Sequence, residues 1–236
     1  MRSSERHQLK ENQFATATQE TLSWASDNRN TLLYTGGAVV VLLLVLIGGF
    51  YYQQDREQKA SAMLGEGLKL YSSQIVAPGT AVPPGITTFN NATDRAKAAS
   101  NKFLETADHY AHTDSATMAN YFLGLCAQDM GDNTKAEEYL KKVSDSGNKD
   151  IAGLAKTALA NFYHNTGRDP QAIQVFKELI EKPTNTTPKV QSQLSLADIY
   201  ATTDPTQARR LYEEIAKDNA DTPVANLVNS RMATLK

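Results

Sequence analysis

The sequence predicts an all-α protein: one N-terminal membrane-spanning helix, then an α-solenoid of about four helix pairs closed by a C-terminal capping helix. Three observations predict it. Residues 32–52, LLYTGGAVVVLLLVLIGGFYY, carry no charge and only one plainly polar side chain, Thr35. Asp169-Pro170, Thr187-Pro188, Asp204-Pro205 and Thr222-Pro223 each place a capping side chain before a proline, with 18, 17 and 18 residues between successive prolines. The pairs Ala136/Leu140, Ala172/Phe176 and Ala208/Tyr212 then repeat at intervals of 36 residues.

The apolar run comes first. At about 1.5 Å per residue a helix over residues 32–52 reaches roughly 30 Å, the thickness of a bilayer's hydrocarbon core. Tyr34, Tyr51 and Tyr52 stand near its ends, where amphipathic rings settle at the headgroup level. The preceding polar region is too long, and the run itself too extended, for a cleaved leader, so an uncleaved anchor is expected. Arg29 lies before the run and Arg56, Lys59 and Lys69 after it, a distribution that leaves its direction open. Residues 1–31 are a polar tail in which Phe14, Ala17, Thr21, Leu22 and Ala25 fall roughly on one helical face, with Trp24 nearby.

Past the run, Ala60, Met63, Leu64, Gly67, Leu68, Tyr71 and Ile75 keep helical spacing, so the helix is expected to continue to about residue 76. Residues 77–89, APGTAVPPGITTF, hold three prolines and two glycines and read as a loop without helix or strand. Ala96, Ala99, Phe103, Leu104 and Ala107 restore the helical pattern from Asp94 to about Tyr110. In the second half each capping residue and its proline should open a helix, because proline lacks an N–H where the first turn needs none. Intervals of 17 and 18 residues fit three to four turns and a short connection, giving a helix–turn–helix repeat of about 35 residues.

Upstream of the aligned pairs stand Leu123-Gly124, Leu159-Ala160 and Leu196-Ala197, followed by Tyr163 and Tyr200, with Gly131 and Gly167 in the turns. These residues resemble the tetratricopeptide repeat (TPR) pattern over residues 115–219. Departures are the absent tryptophan, Ala127 in place of tyrosine, and Asp204 in place of the third turn glycine. The resemblance divides residues 53–236 into a first, loop-interrupted repeat (58–112), repeats at 115–148, 149–183 and 187–219, and a capping helix at 222–236. Such caps shield the last exposed face of a repeat stack.

One span joined to a short TPR array also resembles a narrower family. It includes the ancillary subunit of the SecYEG translocon and is related to periplasmic TPR cell-division coordinators. That resemblance implies a single-pass protein of the bacterial inner membrane with a cytoplasmic N-terminus and a periplasmic TPR domain. It further implies a non-catalytic scaffold that binds proteins, the translocon and periplasmic chaperones among them. The alternative is an envelope scaffold for cell division or outer-membrane assembly.

Composition narrows the chemistry. A formal charge of −2 over 236 residues leaves no electrostatic footprint for nucleic acid. A single cysteine, Cys126, excludes an internal disulfide and a cysteine-rich zinc site; among Leu123, Leu125 and Met130 it reads as a small buried hydrophobe. His109 and His112, spaced to share a helix face beside Asp108 and Asp114, are the one candidate metal pair, and a solvated helix end explains them as well. No phosphate-binding glycine loop, Gly-x-Ser-x-Gly or His-Glu-x-x-His motif occurs, so no cofactor is expected. Binding remains. Carrying the TPR groove positions onto this register implies Tyr121, Gln128 and Asp129, then Thr157, Asn161, His164 and Asn165, then Gln191, Asp198 and Thr202. Amides and hydroxyls dominate that set and no lysine or arginine enters it, which suits an extended peptide or a partner's helix better than a terminal carboxylate.

Overall fold

The computed structural model describes Trp24 and residues 27–235, which hold nine helices and one two-residue parallel strand pair. The helices are α1 (Arg29–Tyr71), α2 (Ala92–His109), α3 (Asp114–Asp129), α4 (Asn133–Ser144), α5 (Lys149–Asn165), α6 (Asp169–Glu181), α7 (Lys189–Thr203), α8 (Pro205–Asp218) and α9 (Pro223–Thr234). Residues up to Asp55 form one compact unit and residues from Arg56 a second, and each is described by itself.

In the first unit α1 is the one helix among the described residues long and apolar enough to cross a membrane. From Val39 to Ile47 every side chain is more than half exposed, so this surface has no protein partner within the described residues. The tail positions Phe14, Ala17, Thr21, Leu22 and Ala25 lie outside the described residues, and Trp24 is exposed.

The second unit is a TPR-like solenoid. Residues of α1 from Arg56 onward pair with α2, followed by the pairs α3/α4, α5/α6 and α7/α8, with α9 packed on α8 as the cap. The small–large register holds throughout: Ala136, Leu140, Ala172, Phe176, Ala208 and Tyr212 are all 2% exposed or less. The reason is close crossing within each pair. A Cβ on Gly124 would stand 2.8 Å from Cγ of Leu140, so this position takes no side chain without displacing the leucine. Gly131 and Gly167, at φ of +76° and +74°, make the left-handed turns after α3 and α5 that L residues resist.

Several boundaries differ from the sequence reading. α1 ends at Tyr71, so Ile75 leaves the helix, enters a strand and is 46% exposed. The proline segment contains structure at its rim. Gln74–Ile75 (β1) pairs in parallel with Thr88–Phe89 (β2), because the chain must return to start α2 and the two ends of the loop satisfy each other's backbone groups. Leu104 faces outward at 40% exposure rather than joining Phe103 in the core.

The four proline dipeptides do open helices, but only Asp204 and Thr222 act as caps, accepting from the N–H groups of Gln207 and Val224. Asp169 is already inside α6, and its carboxylate stands 2.6 Å from Nδ1 of His164. Thr187 is buried and bonds Thr184 at 2.7 Å, which leaves Pro188 as the uncapped entry to α7. The Thr184–Thr187 turn docks on Gly153, where an added Cβ would meet the two threonine hydroxyls at 2.8 and 2.7 Å.

Charged contacts tie successive pairs together. Glu137 of α4 accepts from Arg168 at 2.7 Å and from the Tyr163 hydroxyl at 3.1 Å, and pairs with Lys141 at 2.7 Å. The Arg168 guanidinium also lies over the ring of Tyr163, 4.5 Å from its centroid. Hydrogen bonds from Lys141 and then Arg168 hold the Glu137 carboxyl down at about 2, against its ordinary 4.5. A depressed carboxylate stabilises the fold fully above its unfolded value and stops doing so as pH falls from about 4.5 toward about 2. Glu137 keeps 22% side-chain exposure, so solvent screening limits this to about 1 kcal/mol. Acid titration of unfolding should therefore show a shallower loss of stability across that window in Glu137→Gln than in the parent. An identical acid limb in both would assign the acid sensitivity to other carboxylates.

Candidate functional site

The first helices of the second, third and fourth pairs, α3, α5 and α7, border a half-open cavity of about 270 Å³. Helical spacing places its side chains. Tyr121, Leu125 and Gln128 follow one face of α3, Leu154, Thr157, Ala158 and Asn161 one face of α5, and Gln191, Ser192 and Ser195 the start of α7. Thr186 and Thr187 enter from the turn before α7, and the buried Phe176 of α6 reaches the wall from behind. No charged side chain lines it.

Two polar atoms in this lining are buried without a hydrogen-bond partner: Nε2 of Gln128 and Oγ1 of Thr157. Native structures pair nearly all such groups, and an unpaired buried donor costs roughly 1–3 kcal/mol. Gln128 and Thr157 both line the cavity, and the chemistry of their side chains is matched by a ligand that offers both an acceptor and a donor, as a peptide backbone does. Burial raises the Tyr121 phenol, which keeps its hydroxyl neutral.

Five of the ten positions implied by the resemblance meet here: Tyr121, Gln128, Thr157, Asn161 and Gln191. The other five stand elsewhere. Asp129 turns toward α2, where it pairs with Arg95 at 3.3 Å. His164 is engaged by Asp169 at the end of α5, and Asn165 is the exposed last residue of that helix. Asp198 accepts from the Tyr212 hydroxyl and pairs with Arg231 of the cap, and Thr202 donates to the Ile199 carbonyl at 2.9 Å. The sequence reading missed Ser195, which its place one helical turn after Gln191 would have found; Thr186 and Thr187 carry no such signal, because only folding brings their turn to α5.

His109 ends α2, but His112 lies beyond it with φ +70°, so the two do not share a helix face. Among the described residues no three His, Cys, Asp or Glu side chains group as metal ligands. Cys126 is fully buried, and burial pushes its thiol up to about 12, which removes it as a nucleophile near neutral pH.

Stacked helix pairs around a neutral cavity on their first helices define a helical-repeat protein of the kind that serves as a binding scaffold. The chain belongs to the tetratricopeptide repeat-like domain family, whose model matches residues 22–182. Two solved structures of nearly identical TPR-like repeats, assigned to a Podosopora anserina kinesin light chain, are similar to it; the second is a variant of the first. Each is 18% identical, covers 59% of this chain at a TM-score of 0.49, and is itself covered over 77% and 76% of its length respectively. No curated protein matches the chain.

Proposed function

We propose that this protein is a single-pass scaffold of the bacterial inner membrane. Its tail faces the cytoplasm and its TPR domain faces the periplasm, where it links the SecYEG translocon to periplasmic chaperones. The observation that carries the binding role is the uncharged cavity on α3, α5 and α7 with its two unpartnered groups, Gln128 Nε2 and Thr157 Oγ1. A neutral, hydrogen-bonding lining favours an extended polypeptide read through its backbone, and the absence of lysine and arginine from it disfavours a chain terminus as anchor. The exposed apolar length of α1 supports the anchor, since such a surface is stable in hydrocarbon and costly in water. Location and partners follow the resemblance of the whole architecture to the translocon's ancillary subunit.

The test is crosslinking in intact cells followed by affinity purification from detergent extracts, comparing the parent with Gln128→Ala/Asn161→Ala. Translocon subunits and an envelope chaperone should co-purify with the parent, and recovery of the chaperone should fall by roughly tenfold in the variant, about the effect of losing two hydrogen bonds. Recovery of neither partner by the parent, or protection of residues 53–236 from protease in spheroplasts, would overturn the reading.

A further inference from the structure

A second cavity, sharing no lining residue with the first, opens beside α5 and has a volume of about 360 Å³. Its walls are the ends of α4 and α6 and the first two turns of α5, and its composition is different. Lys149, Lys156 and Lys182 line it against a single carboxylate, Glu178. Glu178 bonds Lys156 at 3.3 Å, while Lys149 and Lys182 form no ion pair among the described residues. Ser146 adds a hydroxyl that is buried in this lining and has no hydrogen-bond partner.

Helix-end electrostatics explain only part of this. Lys182 directly follows α6, where a cation favours the helix dipole. Lys149 is the first residue of α5, where a cation opposes it, so helix stability gives no reason for a lysine there. Two uncommitted ammonium groups and an unpaired hydroxyl donor together recognise an oxyanion.

We infer that this cavity is an anion-binding site for the carboxylates of an acidic peptide segment presented by a protein partner. The two free lysines stand on separate elements, Lys149 opening α5 and Lys182 just past α6, with Lys156 already held by Glu178. Two separate points of positive charge are met together by a segment that carries more than one carboxylate.

The site is testable on the full chain in neutral detergent by fluorescence anisotropy with labelled oligo-glutamate, using oligo-glutamine and inorganic phosphate as competitors. The glutamate peptide should bind, weaken as salt rises, and resist displacement by oligo-glutamine and by equimolar phosphate. Lys149→Gln/Lys182→Gln should weaken it about tenfold, and Ser146→Ala should weaken it by a smaller factor. The lysines are exposed, so the double variant should keep the parent's thermal midpoint, which separates lost binding from lost folding. No binding of oligo-glutamate, binding unchanged in the double variant, or displacement by equimolar phosphate would each overturn the proposal. None of these results bears on the neutral cavity, which has separate residues and a separate test.

Discussion

Gly67→Ala is expected to destabilise the TPR domain, although alanine is the better helix former by about 1 kcal/mol. The added methyl would sit 2.5 Å from Cε1 and 2.7 Å from Cδ1 of Phe103. That ring is fully buried, stacks on Phe122 at 5.2 Å between centroids and meets Tyr71 edge-on, so it has nowhere to move. Overpacking of this kind costs typically 1–3 kcal/mol, and a contact this short belongs at the upper end, so the clash outweighs the propensity gain. Phe103→Ala should cost more, about 3–5 kcal/mol, by opening a cavity among α1, α2 and α3. Combined, the two changes should be less harmful than their sum, because the shorter side chain makes room for the methyl. Thermal unfolding of the four proteins in detergent checks this; a higher midpoint for Gly67→Ala would mean that the helices separate without cost.

Removal of the Glu57 carboxylate should have the second-largest effect. Its Oε2 accepts from the backbone N–H of Asp114 at 2.9 Å, and its Oε1 from the N–H of Ser115 at 3.0 Å and the Ser115 hydroxyl at 2.5 Å. These are first-turn donors of α3, which have no partner inside their own helix. A side chain of α1 thus caps α3 across 57 residues, where a negative charge also suits the helix dipole. The neighbouring Arg56 donates to the His109 carbonyl at 3.2 Å, at the end of α2. Glu57→Ala should cost about 1–3 kcal/mol, since charge-assisted bonds are lost and the partly buried N–H of Ser115 is stranded, while that of Asp114 is exposed to water. Glu57→Gln should cost less, because one acceptor oxygen survives. Hydrogen exchange at the first turn of α3 is the sensitive readout; unchanged protection of Asp114 and Ser115 in Glu57→Ala would refute the cap.

The repeat was legible in the sequence because its determinants are local and periodic. Ala136/Leu140 and its two successors sit four residues apart on one helical face, and each pair packs within its own hairpin, so a fixed spacing guarantees burial. Gly131 and Gly167 were legible for a related reason: the turn's backbone conformation selects the residue directly. The apolar run of α1 needs only composition and length to be recognised. Element ends were less legible. Thr187 and Asp169 carry the chemistry of helix caps, yet packing gives the first to the Thr184 turn and the second to His164.

The sites divide along the same line. By itself the sequence offered, through its register and its resemblance to the repeat family, ten groove positions dominated by amides and hydroxyls and without lysine or arginine, of which Tyr121, Gln128, Thr157, Asn161 and Gln191 meet at the cavity. Only the tertiary structure decided that Asp129 and Asp198 would instead be held by Arg95 and Arg231, that Thr186 and Thr187 would close the cavity, and that Glu57 would cap α3. Each of those outcomes joins residues more than twenty positions apart, through contacts that exist only once neighbouring pairs have stacked. A helical period specifies direction around one axis, and it carries no information about which distant side chain will arrive there first.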